Sequence, residues 1–392
     1  MAPIRVALVG LSSSAKTSWA AQAHLPYLLS SRGKSHYEIV ALLNSSVSAA
    51  ELARAYFALP SGVKAYGDPN KLASDPDVDL VVCCTRVDTH SPTTGPSIRA
   101  GKAVYIEWPL TENYEEAVAV TGNRRLDNSI IGLQGRVSPI VIKLKEILKS
   151  GRIGRVLSSE VRAYGNLRRR DFMSEDLAYF LDRKVGGNGV TIGYAHTIDY
   201  VHEVLGEFAS FQSQMQVQRP IVKITGKDGS QIGEAPNDVP DYLAVHGELA
   251  KGKADLAENA ILTATYRSGQ EFKGTPGFVW IINGDLGEIM VTASGAYVHS
   301  DSYKDPIDIK IHDFATEEVV DVAWDWEEWQ LELPYRSRIV AELYERFAHW
   351  WENGKPAGDI PDEQNWPRLH DAVERMKELD EVFRQYDAQR NA

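Results

Sequence analysis

A glycine and a run of small hydroxyl residues follow the first apolar segment of the chain. After Ile4–Val9 the sequence reads Gly-Leu-Ser-Ser-Ser-Ala-Lys, from Gly10 to Lys16. Small residues at such a turn let backbone N–H groups approach a pyrophosphate at a helix N-terminus. Ser12 and Ser13 add hydroxyls, and Lys16 adds a positive charge. Only Gly10 remains of the glycine pattern that usually marks this chemistry, so the loop is either a dinucleotide site or an ordinary Ser-rich turn.

The end of the second predicted strand bears on which dinucleotide would bind. Glu38–Leu43 is followed by Asn44-Ser45-Ser46, where an NAD site usually has Asp or Glu to bind the ribose 2′-hydroxyl. A carboxylate would repel a 2′-phosphate, and these three positions carry none. Asn44 and Ser45 are therefore candidate ribose contacts that favour NADP over NAD as the cofactor.

A histidine after a Gly-rich turn is the candidate acid–base group. His196 follows Gly186-Gly187-Asn188-Gly189 and lies on the predicted helix Gly193–Leu205. An imidazole titrates near working pH and could exchange a proton with a substrate hydroxyl or carbonyl; otherwise His196 is a hydrogen-bonded core residue. Asp199 lies on the same helical face, either as a structural partner or as a substrate contact.

Two further groups of polar side chains could complete such a site. Tyr164 and Tyr194 could serve as proton donors, or could simply pack in the core. Arg168 begins a run of three arginines that could receive an acidic substrate or a phosphate, or could be a solvated charged segment. The sequence contains no C-x2-C pair and no H-E-x-x-H, so no metal site is expected.

The elements that would position these residues change type along the chain. In the first third, apolar segments such as Ile4–Val9 and Val78–Cys84 alternate with predicted helices, which is typical of a doubly wound parallel sheet. After residue 150 strands predominate. They are predicted over Arg155–Tyr164, Phe208–Gln216, Asp241–Leu249, Asn259–Tyr266, Phe278–Ile282, Gly287–Thr292 and Tyr297–Ser300.

We therefore expect an α/β chain of two domains. Residues 1–136 are predicted to form an NAD(P)-binding Rossmann domain, and residues 137–392 a C-terminal α+β domain with an open, mostly antiparallel sheet. The second domain would bind the substrate and form a homodimer or higher oligomer, and its final helices could pack back on the first domain. Apolar outer positions of the open sheet would otherwise be exposed.

The composition excludes several classes of protein. The 392 residues carry a net charge of −12, which disfavours a general nucleic-acid binder. No apolar run approaches the roughly 20 residues of a membrane span, and the N-terminus lacks the features of a signal peptide. The two cysteines, Cys83 and Cys84, are adjacent and poorly placed to form a disulfide. A cytoplasmic protein without membrane contact is expected.

Three later segments resemble the Gfo/Idh/MocA oxidoreductase family. They are Glu107-Trp108-Pro109-Leu110, Leu133-Gln134-Gly135-Arg136 with Ser138-Pro139, and Gly186-Gly187-Asn188-Gly189 with His196-Thr197-Ile198-Asp199. Their order and spacing extend the resemblance over nearly the whole chain. The chain is most similar to a subgroup that includes the galactose-regulon repressor of budding yeasts, with which it shares Gly-Leu-Ser, Ala-Lys, Glu-Trp, Leu-Gln-Gly-Arg and His-Thr-Ile-Asp.

The resemblance implies roles for further residues. It implies that the turn after the predicted strand Val78–Cys84 contacts the nicotinamide side of the cofactor. It also implies that His196 occupies the position of a family catalytic residue. Family enzymes have Lys where this chain has Trp108, and often Asp where it has Ile192. Arg136 would bind a substrate anion or hold Glu107. The cofactor contacts that the resemblance implies are Thr85, Val87, His90, Glu107, Trp108 and Gln134.

Two functions remain open on this basis. The first is an NAD(P)-dependent oxidoreductase acting on a small sugar-like, hydroxyl or carbonyl substrate. The second is a non-catalytic NADP-binding transcriptional regulator, similar to the yeast repressor, that binds a partner protein. Trp108 cannot do acid–base chemistry, so the first function requires His196 or another group to move the proton.

Overall fold

The chain folds into two compact units. The computed structural model describes residues 2–15, 17–122, 124, 126–166, 170–358 and 360–391. The first unit comprises Met1–Gln134 and Glu327–Met376, and the second comprises Gly135–Trp326 and Lys377–Ala392. The first unit thus ends close to the predicted boundary after residue 136. It also takes in Glu327–Met376, a stretch that lies within the predicted second domain.

A parallel sheet forms the centre of the first unit. In the described part of the chain its strands, β1 to β6, are Ile4–Val9, Tyr37–Leu43, Lys64–Tyr66, Leu80–Cys83, Ala103–Ile106 and Ser129–Ile131. They lie in the order β3-β2-β1-β4-β5-β6, and every pair is parallel. Every residue of β4 and β5 is buried, because helices cover both faces of such a sheet. The predicted Rossmann sheet is confirmed.

Helices connect these strands. They are α1 to α6, over Leu25–Leu29, Ser31–His36, Val47–Tyr56, Pro69–Ala73, His90–Arg99 and Tyr114–Thr121. A π-type turn over Ala20–His24 leads into α1. Side chains accept hydrogen bonds at several helix starts; Ser46, for example, accepts from the Ala49 amide at 3.1 Å at the start of α3, which satisfies one of the open N–H groups there.

The second unit is built on antiparallel strands. It contains helices α7 (Pro139–Lys149) and α8 (Ala195–Leu205). Strands β7 to β17 are Val156–Asn166, Phe172–Ser174, Phe208–Gln216, Ile221–Thr225, Gln231–Pro236, Tyr242–Leu249, Leu256–Ser268, Phe278–Gly284, Gly287–Ala293, Ile307–Asp313 and Val319–Asp321.

These strands form two sheets. Among the described residues, an eight-stranded sheet has the order β17-β16-β15-β14-β7-β13-β12-β9, and β11-β10-β8 form a smaller one. Among the described strands of the large sheet, only β7 and β13 pair in parallel. The predicted open, mostly antiparallel sheet is confirmed.

One face of the large sheet is buried and the other is open. Burial alternates along β14, where Phe278 and Trp280 are buried while Val279 and Ile281 are partly exposed, as expected for side chains that alternate between faces. The ring of Tyr200 in α8 lies about 6 Å from the rings of Phe278 and Trp280, at 6.2 and 6.1 Å. Helix α8 therefore covers the buried face.

The strand predicted over Tyr297–Ser300 is wrong. After β15 the chain leaves the sheet, and Ser300–Lys304 forms a 3-10 helix. Val298 and His299 are both buried, whereas a strand with one open face would bury alternate residues. The apolar and aromatic side chains of this segment pack in the interior, and its backbone does not pair with a neighbouring strand.

The last helices belong to the first unit as far as Met376, and the rest of the final helix belongs to the second unit. Helices α9, α10 and α11 are Glu328–Leu331, Tyr335–Glu352 and Leu369–Asn391. Between α10 and α11, the Trp366 indole N–H donates to the Ser129 carbonyl at 2.8 Å. Hydrogen bonds of this kind explain why the segment groups with the parallel sheet. No helix in the described residues is long and apolar enough to cross a membrane.

Candidate functional site

Gly10 lies where the strand order of the first unit reverses. It follows β1, and its amide donates to the Leu43 carbonyl at 3.0 Å. Its φ is +85°, and a Cβ at this position would lie 2.8 Å from Thr85 Cγ2 and 3.3 Å from the Cys84 backbone. Only glycine fits such a backbone without strain. The resulting concave turn lies at the switch point between β1 and β4, where open α/β sheets bind their ligands.

The serines of the loop are placed at the surface. Ser12 is half-buried and Ser13 is exposed. The Ser12 hydroxyl accepts from the Ser14 amide at 3.2 Å, which tightens the turn, and the Ser13 side chain faces solvent. The predicted contact Lys16 lies outside the described residues.

The end of β2 supports this loop. Asn44 Nδ2 donates to the Leu11 carbonyl at 2.8 Å, whereas Asn44 Oδ1 is buried and makes no hydrogen bond to any described residue. Ser45 is exposed. A buried acceptor without a donor is costly, and a ligand hydroxyl or amide could satisfy it.

The turn after β4 is held by its own residues. The Thr89 hydroxyl donates to Thr85 Oγ1 at 2.9 Å, and Val87 is buried. The two ring nitrogens of His90 each lie 2.9 Å from a carbonyl oxygen, of Pro109 and of Thr85. Burial lowers the pKa of His90, although both carbonyls favour the charged form. His90 therefore ties this turn to the segment after β5.

Glu107 is held by a histidine that the sequence analysis missed. His24 Nε2 lies 2.9 Å from Glu107 Oε1, and His24 Nδ1 lies 2.9 Å from the Tyr344 hydroxyl. Because a carboxylate only accepts, Nε2 carries the proton shared with Glu107. A Cβ on Gly132 would lie 2.6 Å from Glu107 Oε2. Glycine is thus required beside the carboxylate, and Glu107 is fixed on two sides.

Two further predicted contacts in the first unit are buried. Trp108 is 6% exposed and Gln134 is 3% exposed. Gln134 Oε1 makes no hydrogen bond to any described residue, so it is a second acceptor available to a ligand. Trp108 offers a flat apolar surface and no group that titrates.

In the second unit, Asn188 fixes the start of the segment that carries His196. Its side-chain oxygen accepts from the Val190 and Thr191 amides at 2.9 and 3.1 Å. In return the Thr191 hydroxyl accepts from the Asn188 amide at 2.9 Å, which completes a reciprocal cap. Gly186, at φ +79°, turns the chain into this cap. The Gly-rich turn therefore sets the start of the π-helical segment Gly189–Tyr194, which leads directly into α8.

His196 lies beside a second buried histidine. The ring centroids of His196 and His299 are 4.7 Å apart, and the His299 ring stacks on Tyr297 at 4.3 Å. Burial, together with the charge of a protonated His196, holds the pKa of His299 well below its usual value. His299 is thus held in its neutral form beside His196. No periodic pattern in the sequence marks His299.

Arg136 and Asp199 form a buried ion pair. Arg136 Nε and Nη2 donate to the two Asp199 oxygens at 2.9 and 2.7 Å, and Asp199 is 1% exposed. Such two-pronged pairing is strong and directional. The structure therefore brings these two predicted substrate contacts together as partners of each other.

The two predicted tyrosines each contact a charged side chain of the second unit. The Tyr194 hydroxyl donates to Glu378 Oε1 at 3.2 Å. Tyr164 alternates along β7 with the buried Ala163 and lies under the Arg267 guanidinium, 4.5 Å from the ring centre. It therefore faces the open side of the sheet, opposite α8. Arg168 lies outside the described residues.

Tested on its own geometry, the first unit fits a dinucleotide. Gly10 provides a concave turn that a Cβ would fill, and Asn44 and Gln134 provide buried acceptors without donors. The residues that would hold the group are Gly10, Ser12, Ser13, Asn44, Ser45, Thr85, Val87, His90, Glu107, Trp108 and Gln134.

Comparisons with known proteins agree with this arrangement. Residues 4–125 match the oxidoreductase family with an NAD-binding Rossmann fold, GFO_IDH_MocA, and residues 139–293 match the C-terminal domain of Gal80p. The dehydrogenase AclE of Aspergillus oryzae is 30% identical over 384 residues, which cover 97% of this chain and 95% of that protein.

Regulators are related as well. The galactose/lactose metabolism regulatory protein GAL80 of Saccharomyces cerevisiae is 26% identical over 309 residues, covering 76% of this chain and 68% of that protein. A crystal structure of a super-repressor mutant of Gal80p from the same yeast superposes with a TM-score of 0.85 at 21% identity, covering 99% of this chain and 97% of that one. The similarity to this crystal structure shows that the two chains share a fold.

Proposed function

Because this chain belongs to the Gfo/Idh/MocA oxidoreductase family, in its Gal80-like subgroup, we propose that it is an NAD(P)-dependent oxidoreductase acting on a small sugar-like, hydroxyl or carbonyl compound. The observation that carries the proposal is Gly10 at the switch between β1 and β4, with a backbone that excludes any Cβ. Similarity to a dehydrogenase, at 30% identity over 97% of the chain, supports catalysis.

The proposed cofactor is NADP, with NAD bound less tightly. Bound nicotinamide supplies or accepts hydride. Gly10, Ser12 and Ser13 would hold the pyrophosphate, and Ser45 would contact the ribose without the carboxylate that repels a 2′-phosphate. Thr85, Val87 and Trp108 would pack beside the nicotinamide and exclude water.

His196 is the proposed acid–base group. It holds or releases the proton at the substrate oxygen as the C–O bond order changes, since its ordinary pKa lies near working pH. The neutral His299 beside it does not compete for the proton. Tyr164 and Tyr194 remain second proposals as proton donors.

The proposed substrate contacts are Arg136, Asp199 and Arg168. The ion pair between Arg136 and Asp199 supports a positioning role, because Asp199 lies one helical turn from His196 on α8. Arg136 thereby fixes the helix that carries the acid–base group. Arg168 would attract an anionic substrate.

A spectroscopic screen tests the activity. Purified protein with NADPH is mixed with sugars, ketones and aldehydes, and loss of NADPH absorbance is followed. We expect turnover of at least one carbonyl compound, or of an alcohol with NADP⁺. NADPH binding without turnover of any compound would overturn the catalytic proposal.

A second candidate is a non-catalytic NADP-binding transcriptional regulator. Trp108 favours it, since it stands where family enzymes have a lysine, and so does the similarity to GAL80. In this case Trp108 closes an ancestral active site and a partner protein binds instead of a substrate. The outcome of the same screen separates the two candidates.

The remaining proposals concern the setting of the protein. We expect a cytoplasmic homodimer or higher oligomer that binds neither nucleic acid nor membrane directly. The net charge of −12 supports the absence of nucleic-acid binding. The open face of the large sheet, with Ile261, Ile281 and Met290 exposed or partly exposed, supports dimerisation there.

A further inference from the structure

One histidine and two glutamates converge in the second unit, away from His196. His202 lies near the end of α8, Glu207 precedes β9, and Glu378 lies on α11. His202 Nε2 is 3.2 Å from Glu378 Oε2 and 3.8 Å from Glu207 Oε2. Their ligand atoms all lie within 4.8 Å of one another. We refer to these three residues as the His–Glu–Glu cluster.

The hydrogen bonding of His202 leaves its Nε2 directed into the cluster. Nδ1 lies 2.7 Å from the Gly206 carbonyl oxygen. A carbonyl only accepts, so Nδ1 carries the proton. The side chain is fully buried, and its Nε2 makes no hydrogen bond to any described residue. Nε2 of His202 is therefore turned toward one oxygen each of Glu207 and Glu378, and a cation held between these three atoms would contact all of them.

The spacing of the cluster suits a small metal ion. Ligands about 2.0–2.2 Å from a tetrahedral zinc ion lie roughly 3.3–3.6 Å apart, which is close to the 3.2 and 3.8 Å separations here. Two outer partners orient the ligands: the Gly206 carbonyl holds His202, and the Tyr194 hydroxyl donates to Glu378 Oε1 at 3.2 Å. Metal sites typically have such outer partners.

We propose that the His–Glu–Glu cluster binds a divalent transition-metal ion of the zinc type through His202 Nε2 and one oxygen each of Glu207 and Glu378. A proton on Nε2 is the competing cation. The distance from Nε2 to Glu378 Oε2 is short enough for a hydrogen bond, yet none forms. Ligands of one tetrahedral ion do not point at each other, so this misalignment favours the metal.

The site would have a structural role within the second unit. The ion joins the end of α8 to the start of β9 and to the part of α11 that follows Met376. Glu207 is 49% exposed, which leaves a route for the ion and room for a water as fourth ligand. Since α8 also carries His196 and Asp199, the metal would stiffen the element that positions them.

Cobalt and zinc binding test the proposal directly. The full-length protein is freed of metal with a chelator and titrated with Co²⁺, whose visible absorption reports a low-symmetry nitrogen and oxygen site. Zn²⁺ is then added in competition. We expect one Co²⁺ per chain, displaced by Zn²⁺, and a melting temperature that rises with Zn²⁺ concentration. Absence of saturable binding by the wild-type protein overturns the proposal.

Variants locate the site. Glu207→Gln removes a half-exposed ligand and leaves the fold undisturbed, so it carries the test even if His202→Gln fails to fold. We expect it to weaken Zn²⁺ binding by more than about 100-fold, since even outer partners are worth about 10–100-fold. His312→Gln is the matched control, because His312 pairs with Glu317 at 3.0 Å on the surface of the same unit.

The pattern of losses decides the outcome. Retention of Zn²⁺ by Glu207→Gln, or an equal loss in His312→Gln, overturns the proposal in favour of adventitious surface binding. Tyr194→Phe should weaken Zn²⁺ binding about 10-fold while keeping one site per chain. All of these readouts measure metal, so they are independent of whether the protein proves to be an oxidoreductase.

Discussion

Long-range partners determine what each polar residue of the two candidate sites can do. Glu107 is paired with His24, 83 positions away, and Arg136 with Asp199, 63 positions away. The sequence identifies Glu107, Arg136 and Asp199 as polar residues in motifs. It contains no signal for His24, because a single histidine in a helical segment has no period or spacing that links it to Glu107. Such pairings become visible only in the folded chain.

The acid–base role of His196 is tested by its removal. His196→Ala should lower turnover by about 10²–10⁴, the usual contribution of a general acid or base, and leave NADPH affinity nearly unchanged. Steady-state kinetics and a fluorescence titration measure the two quantities. His246→Ala is the control, since His246 is exposed on β12 of the same unit. Turnover close to wild type in His196→Ala would remove His196 from the proposed mechanism.

The buried His299 predicts a pH dependence of stability. Burial and His196 keep its pKa in the folded state well below 6.5. The unfolded chain takes up this proton as the pH falls through about 6.5 and the folded chain does not, so the free energy of unfolding decreases below that pH. The contribution is complete above about pH 6.5 and has a slope of at most about 1.4 kcal/mol per pH unit.

His299→Asn should flatten this dependence. Urea unfolding between pH 7.5 and roughly pH 5 measures it, with the range chosen to span the ordinary histidine pKa. His246→Asn, at an exposed position, should keep the wild-type slope. Equal slopes for all three proteins would show that His299 is protonated in the folded state.

At the scale of elements, the long apolar strands were predictable and the short strands were not. β1 over Ile4–Val9 and β9 over Phe208–Gln216 have the predicted bounds. The three-residue strands Lys64–Tyr66 and Phe172–Ser174 contain too few residues to show a period. They form because neighbouring strands offer unpaired backbone groups.

The turn after β1 is the element on which the cofactor proposal depends. Gly10→Ala places a Cβ 2.8 Å from Thr85 Cγ2 at a φ of +85°, so it should lower the free energy of unfolding by about 1–3 kcal/mol and weaken NADPH binding. Gly62→Ala is the control, because a Cβ at that position lies in open space. Apart from the two chain neighbours, no other residue has an atom within 4 Å of it. Urea unfolding and an NADPH titration measure both effects; equal behaviour of the two variants would contradict the strained turn.

At the scale of the whole molecule, the sequence correctly indicated two kinds of architecture in one chain. Alternating strands and helices in the first third predicted the parallel sheet, and closely spaced strands after residue 150 predicted the mostly antiparallel one. The return of Glu327–Met376 to the first unit depends on contacts such as that of Trp366 with Ser129. Contacts between residues so distant in sequence leave no local pattern.

The open face of the large sheet predicts self-association. Light scattering should give a mass of about twice the 43.5 kDa of one chain, or a larger multiple. Met290→Asp introduces a charge among Ile281 and the other apolar residues of this face and should shift the protein toward monomer. Ile232→Asp, at an exposed apolar position on the smaller sheet, should not. A monomeric wild-type protein at high concentration would contradict the predicted oligomer.

Titration with reduced cofactors tests the central claim, that the first unit binds a nicotinamide dinucleotide and prefers NADP. Fluorescence of NADPH and NADH is followed on addition to wild-type protein, Ser45→Asp and the control Ser48→Asp, which adds the same charge at another exposed serine. We predict saturable binding with NADPH tighter than NADH, and about a tenfold loss of NADPH affinity, or about 1.4 kcal/mol, in Ser45→Asp alone. Equal or stronger binding of NADH would contradict the preference, and binding of neither cofactor would contradict the claim itself.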